Sequence, residues 1–168
     1  MKEIPLLGVL ALSPMDAPRG APNAGARLRI GGNGIDPEAV ARAEAALKSL
    51  SANFAQWLAD EITKLGQARA RIDQEGFTPE TMEGLYMRAH DLKGLGTTYE
   101  YPLITRFAGS LCKFTHDPAA RMKAPLFLID EHIAAIRTAA REEIRTEGDP
   151  RGRAVAEALE AKVAALPV

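Results

Sequence analysis

Apolar residues recur at alternating spacings of three and four along most of the chain, which is the pattern of amphipathic helices. The pattern is clearest from Met82 to Tyr101, where one predicted helix face carries Met82, Leu85, Ala89, Leu92, Gly96 and Tyr99. No stretch alternates apolar and polar residues convincingly as a strand. The chain is therefore predicted to be all-α.

Proline next to a capping residue marks the start of several predicted helices. Asp36-Pro37 begins a helix whose apolar stripe extends to Ile72, either as one long helix or as two joined near residues 49–53. Later helices are predicted to begin at Pro79, Pro102, Pro125 and Pro150. Because short connections make sequential helices antiparallel neighbours, we expect an antiparallel four-helix bundle with additional N- and C-terminal elements.

The first 35 residues differ in composition from the rest of the chain. They hold six of the 14 glycines and four of the 11 prolines, and they lack helical periodicity. This predicts a Gly/Pro-rich N-terminal extension over 1–35 and a helical bundle over 36–168, with its core in 36–147 and a C-terminal helix at 150–166. The apolar patches 4–12 and 28–30 are expected to touch the bundle.

Charge and cysteine content limit the class of protein. The chain has 21 basic and 22 acidic residues and a net charge of −1, which argues against nucleic-acid binding. The single cysteine, Cys112, cannot form an internal disulfide, so a reduced thiol and a reducing compartment are expected. The apolar run 4–12 is too short to span a bilayer. A cytoplasmic protein without membrane contact is therefore predicted.

His90 is the residue that packing does not explain. By helical geometry it lies about 130° from the centre of the buried stripe, on the solvent side of its helix. A neutral imidazole is a nucleophile that can accept a phosphoryl group and return it. On the same face, Lys93 can neutralise phosphate oxygens and Gly94 removes a side chain where a partner must approach. We therefore interpret His90 as a phosphate acceptor.

The run Ala-His-Asp-Leu-Lys-Gly-Leu-Gly-Thr-Thr-Tyr-Glu-Tyr at 89–101 resembles the signature of histidine-containing phosphotransfer (HPt) domains, most closely that of chemotaxis histidine kinases. The resemblance implies a four-helix bundle that carries phosphate on His90 in a two-component phosphorelay. It implies a response-regulator receiver domain, a hybrid histidine kinase or both as partners, with Mg²⁺ bound by the receiver and no cofactor in this chain. The docking face would then include Tyr86, Met87, Thr97 and Tyr101.

The sequence departs from that family at three positions. Asp91 follows the histidine where Ser or Thr is more usual, and Glu100 stands where Gly is common. In the chemotaxis branch a glutamate on the next helix hydrogen-bonds the histidine, but the matching position here is Cys112. With no Gly-rich nucleotide-binding stretch either, the sequence favours a phosphocarrier without autokinase activity.

Several alternatives remain open at this stage. A non-phosphorylated HPt-like adaptor that binds a receiver or kinase without chemistry is the second hypothesis. A monomer is expected, although the long stripe also fits a dimeric coiled coil. No metal site is predicted, because no Glu-x-x-His pair is present. His116 is expected to interact with a helix C-terminus, and His132 to be structural.

Overall fold

The computed structural model describes residues 34–168, and this part of the chain is all-α with no strand. Residues Leu50–Val168 form one compact unit. The described helices are α1 (Pro37–Glu75), α2 (Pro79–Thr98), α3 (Pro102–Thr115), α4 (Pro118–Arg121), α5 (Leu126–Arg141) and α6 (Pro150–Ala164). The predicted extension, apart from residues 34 and 35, and the apolar patches 4–12 and 28–30 lie outside the described residues.

Helix α1 is a single continuous helix, so it is not interrupted near residues 49–53. Asp36 caps it, since the Glu38 amide donates to Asp36 Oδ1 over 3.1 Å. Burial begins only at Leu58 and continues at Ile62, Leu65, Ala68 and Ile72. The apolar stripe of α1 is therefore buried only from Leu58 onward. Leu47 and Leu50 are 66% and 44% exposed. Periodicity identifies the apolar face of a helix, but it does not show whether other residues cover that face.

Helix α2 carries the predicted stripe in full. It begins with a reciprocal cap, in which the Thr81 amide donates to Thr78 Oγ1 and the Thr78 amide donates to Thr81 Oγ1. Its buried residues are Thr81, Met82, Leu85, Ala89, Leu92 and Gly96, and Tyr99 follows at the C-cap. The face assigned to the core from spacing alone is thus confirmed.

Helices α2 and α3 approach each other closely at Gly96. A Cβ atom at Gly96 would lie 2.5 Å from Thr105 Oγ1 and 2.7 Å from the Thr105 amide nitrogen. The Thr105 hydroxyl donates to the Lys93 carbonyl over 3.0 Å and accepts from the Thr97 amide over 2.9 Å. Only glycine permits this contact, which fixes the register of the two helices.

The turn between α2 and α3 places Glu100 at a φ of +67°. This left-handed conformation disfavours most residues and favours glycine. The Glu100 carboxylate accepts a hydrogen bond from Arg145 over 3.2 Å, on the segment between α5 and α6. The turn therefore keeps the shape that a glycine would give it, with a side-chain contact added.

Helix α3 is the most deeply buried of the described helices and packs against α2, α4, α5 and α6. Helix α5 supplies Leu128, Ile129, His132, Ile133, Ile136 and Ala139 to the same core. Helix α6 adds Ala156 and Leu159, and packs on α3 and α5. The sequence did not predict α4, a single turn capped by Asp117, whose carboxylate accepts from the Ala120 amide over 2.8 Å.

No helix within residues 34–168 is both long enough and apolar enough to cross a membrane.

The Gly96 contact can be tested against Gly94, two residues away, where an added Cβ would meet no atom within 4 Å. We expect Gly96→Ala to lower the free energy of unfolding by about 1–3 kcal/mol through overpacking. Gly94→Ala should raise it by up to about 1 kcal/mol, because alanine is the better helix former. Urea unfolding followed by circular dichroism measures both. Equal effects of the two substitutions would contradict the close approach.

Candidate functional site

His90 lies on the exposed face of α2, one residue after the fully buried Ala89. The core therefore holds the helix while the imidazole remains at the surface. No hydrogen bond joins the His90 side chain to another residue of the described part. A neutral ring nitrogen is thus free to act as a nucleophile.

An open cleft of about 630 Å³ adjoins His90 between α2 and α3. Helix α2 contributes Tyr86, His90 and Lys93 to its walls, and Glu160 of α6 closes one side. From α3 it is lined by Arg106, Gly109, Ser110, Cys112, Lys113 and His116. The cleft thus gathers several cationic groups around the exposed histidine.

The Lys93 side chain extends from α2 across Gly109 of α3. A Cβ atom at Gly109 would lie 3.8 Å from Lys93 Cε, in ordinary van der Waals contact. The aliphatic part of Lys93 therefore lies against the α3 backbone, and its ammonium group is held near the cleft. Sequence analysis missed Gly109; its signal was a glycine within an otherwise apolar helix, where glycine costs about 1 kcal/mol relative to alanine.

The cations of the cleft differ in how they are neutralised. Arg106 is fully paired, because its Nε and Nη2 atoms donate to the Glu160 carboxylate over 2.7 and 2.8 Å and its Nη1 atom donates to Glu147. These hydrogen bonds lower the pKa of the Glu160 carboxyl group and keep it ionised. Lys93 and Lys113 form no ion pair with any residue of 34–168. Within the described part of the chain, two ammonium groups without an ion pair therefore remain for an anion at this surface.

The surface around His90 is open on the side of Gly94, where an added Cβ would meet no atom within 4 Å. Met87 is 53% exposed, and Thr97 is also exposed. Tyr86 is half-buried beside His90, with the two ring centroids 5.9 Å apart. Met87, Gly94 and Thr97 thus border His90 on accessible surface, and we call these three residues with His90 the α2 surface.

Tyr101 does not belong to that surface, so its assignment to the docking face is corrected. Its side chain is only 4% exposed, and the Arg145 guanidinium lies 4.8 Å from its ring centroid. Burial raises the pKa of the Tyr101 hydroxyl, and the nearby Arg145 charge opposes that rise. The sequence argument failed because Tyr101 follows the left-handed Glu100, which turns the chain inward.

Asp91 faces away from the site despite being next to His90. It is half-buried and pairs with Arg88, the nearest oxygen and nitrogen being 3.6 Å apart. Burial raises the pKa of the Asp91 carboxyl group, whereas the Arg88 charge lowers it. Asp91 therefore has a local structural role in pairing with Arg88.

Cys112 forms part of the cleft wall but is only 6% exposed. Burial raises the pKa of its thiol to about 11, although the Lys93 charge opposes that rise. The residue on α3 that the resemblance would make a hydrogen-bonding glutamate is thus a neutral thiol here. No carboxylate within the described residues orients His90.

The other two histidines have distinct environments. His116 is the C-cap of α3, and its Nδ1 atom shares a hydrogen bond of 3.0 Å with the Tyr86 hydroxyl. His132 is completely buried; its Nδ1 donates to the Leu128 carbonyl and its Nε2 accepts from the Ser110 hydroxyl. Burial lowers the pKa of His132, so it is a neutral core residue.

Within residues 34–168, no group of three or more His, Cys, Asp or Glu residues is arranged to hold a metal ion.

Comparison of the chain with models of known protein families, with curated proteins and with solved structures finds no match.

The burial of Cys112 predicts an unreactive thiol despite its position at the cleft. Because the pKa of about 11 lies two units above the ordinary value of 9.0, thiolate at pH 8 is about a hundredfold scarcer than for an exposed cysteine. Iodoacetamide labelling followed by mass spectrometry should be slow in the native protein and fast in urea. The native rate should still be rising at pH 10. Comparable rates in the two states would contradict this environment.

Proposed function

We propose that this protein is a histidine phosphotransfer protein, in which α1, α2, α3 and α5 form an HPt-like four-helix bundle and His90 accepts the phosphoryl group. One observation carries the proposal. An exposed histidine without a hydrogen-bond partner in residues 34–168 borders a cleft with two ammonium groups, Lys93 and Lys113, that form no ion pair there. This combination suits a nucleophile that becomes an anion.

The proposed reaction begins with a neutral His90 and an aspartyl phosphate on a partner. A ring nitrogen lone pair attacks phosphorus in line, a P–N bond forms, and the P–O bond to the aspartyl carboxyl breaks. The bonding electrons leave with the aspartate as a carboxylate. The positive charge gained by the ring is relieved when its N–H proton passes to solvent. The reverse sequence returns the phosphoryl group to a second aspartate.

Electrostatics support the product state of this reaction. A phosphoryl group on His90 adds negative charge at the mouth of the cleft, where Lys93 and Lys113 both contribute positive charge. The Lys93 stem is supported by the α3 backbone at Gly109, so its ammonium group need not be recruited from solution. Charge-assisted hydrogen bonds to phosphate oxygens would be formed without a large reorganisation.

The partner that fits the α2 surface is a receiver domain, which on this proposal supplies both the aspartate and the Mg²⁺. A protein donor must bring its phosphorus atom close enough to the histidine nitrogen for a bond to form, so no bulky side chain can project beside the nucleophile. Gly94 provides it one turn after His90, and Met87 supplies an exposed apolar contact. The cleft is then the site of the phosphate, and the α2 surface is the site of the protein partner.

Transfer of label from a phosphorylated receiver is the direct test. Wild-type protein should gain an acid-labile, alkali-stable phosphate, and His90→Gln should gain none, because His90 is the exposed histidine of the cleft whose side chain has no hydrogen-bond partner within residues 34–168. His116→Gln is the matched control, since His116 is also exposed and lines the same cleft. The His116→Gln variant should still accumulate the phosphate label.

The same experiment separates the carrier from the adaptor. An adaptor would bind a receiver, as shown by a gel shift or calorimetry, while wild-type protein remained unlabelled. Label that persisted on His90→Gln would also exclude His90 as the acceptor.

Docking at the α2 surface predicts a dependence on side-chain size at position 94. Gly94→Ala should transfer at close to the wild-type rate, whereas Gly94→Leu should slow transfer from a receiver by about tenfold or more by obstructing approach. Both should fold, because the space above Gly94 is empty. Ala134→Leu adds a side chain of equal size at an exposed site on α5 and should have no effect. Equal rates for Gly94→Leu and Ala134→Leu would place docking elsewhere.

A further inference from the structure

Tyr86 occupies a central position among the aromatic groups beside the cleft. It precedes His90 by one helical turn on α2, and its ring centroid lies 5.9 Å from that of His90, with the two planes at 49°. On α3, the His116 ring centroid lies 5.8 Å from the same tyrosine. The Tyr86 hydroxyl shares its hydrogen bond with His116 Nδ1. Tyr86 thus contacts the candidate nucleophile and is itself attached to α3.

Arg121 on α4 supports the Tyr86 ring. Its guanidinium carbon lies 4.8 Å from the Tyr86 ring centroid, a cation–π distance. Although charged, Arg121 is only 7% exposed. Its Nε atom donates to the Thr115 carbonyl over 2.7 Å, and its Nη2 atom donates to the His116 carbonyl over 3.0 Å. Both carbonyls belong to the C-terminal end of α3, where backbone acceptors lack helical partners and the helix dipole favours a cation.

The short helix α4 explains why Arg121 reaches this position. Asp117 caps α4, so the chain turns back at once after α3 and places Arg121 beneath the helix end. The cation is therefore fixed by two backbone carbonyls, and it in turn fixes one neighbour of Tyr86. The ring is held from two sides, by Arg121 and by the hydrogen bond to His116.

An exposed imidazole without hydrogen bonds has rotational freedom that phosphoryl transfer must remove. Restricting a side chain of this kind costs conformational entropy. In-line attack also requires one ring nitrogen to point at phosphorus, and small errors of placement reduce rates strongly. For His90 no carboxylate within residues 34–168 performs this orientation, since no hydrogen bond joins its side chain to another described residue. The packed Tyr86 ring is the neighbour that restricts the imidazole.

We propose that Tyr86 is a positioning residue for His90: its ring limits rotation of the imidazole over the cleft, and Arg121 and His116 hold that ring in place. The proposal rests on the proposed phosphotransfer function only for its kinetic consequence. It assigns Tyr86 a role different from the receiver contact inferred from sequence. A docking residue acts only when a receiver is present, whereas a positioning residue acts on every phosphodonor.

A small phosphodonor separates these two roles. With phosphoramidate, His90 attacks phosphorus, the donor P–N bond breaks and ammonia leaves, so no protein surface takes part. We expect Tyr86→Leu to slow labelling by about tenfold with phosphoramidate and at least equally with a phosphorylated receiver. Tyr86→Phe should retain at least half of the wild-type rate with both donors, because the ring and its contact with Arg121 remain. Circular dichroism checks that both variants fold.

Nuclear magnetic resonance of the unphosphorylated protein tests the orientation without any transfer reaction. In wild-type protein and Tyr86→Phe, the His90 ring protons should show ring-current shifts, and these should be lost in Tyr86→Leu. Ala134→Leu, the substitution at an exposed site on α5, is the control and should leave the signals unchanged.

Unaltered His90 ring signals and an unaltered phosphoramidate rate in Tyr86→Leu would overturn the positioning role. A loss confined to the receiver reaction would also overturn it, by making Tyr86 a docking residue. The phosphotransfer proposal fails separately, if wild-type protein reacts with phosphoramidate but accepts nothing from phosphorylated receivers. The comparison of Tyr86 variants stays interpretable in that case, because it needs neither a receiver nor turnover.

Discussion

The contact between Gly96 and Thr105 determines how α2 and α3 lie against each other, and the candidate site depends on that arrangement. The Thr105 hydroxyl occupies the space that a side chain at position 96 would fill and bonds to the backbone of α2 at Lys93 and Thr97. Lys93, whose carbonyl accepts the hydrogen bond from Thr105, lies about one helical turn after His90. The same packing brings Gly109 of α3 opposite Lys93. The close approach of α2 and α3 at Gly96 is thus consistent with the position of Lys93 along the wall of the cleft.

The cationic residues of the cleft differ in how they are paired. Outside the cleft, Arg69 forms ion pairs with Asp73 and Asp130. Within the cleft Arg106 follows the same rule through Glu147 and Glu160, but the two lysines do not. The chain as a whole has a net charge of only −1, so the positive charge beside His90 comes from the placement of Lys93 and Lys113 in the same cleft.

The sequence correctly predicted those features that depend only on residues close together in the chain. The buried stripe of α2 and the exposure of His90 follow from spacing alone, and proline with a capping residue located the start of α2 and α6. The predictions failed where long-range contacts decide the outcome. Apolar spacing in α1 continues through Leu47, but burial requires a neighbour that spacing cannot reveal. Tyr101 was misplaced because the direction of a chain after a turn depends on one φ angle. Arg121 was missed because its partners are backbone carbonyls, which leave no trace in a sequence.

Arg145 connects two tight turns that each contain a non-glycine residue with positive φ. Its guanidinium pairs with Glu100 after α2 and with Glu143 after α5, and its carbonyl accepts from the Leu103 amide over 2.9 Å. Each left-handed residue carries a conformational cost of about 1–2 kcal/mol, which the surrounding contacts must offset. Opening either turn breaks the contacts that hold the other. The backbone amides of the two turns are therefore coupled, and they should exchange hydrogen with solvent as one cooperative unit. The amides of α2 around His90 should exchange independently of that unit.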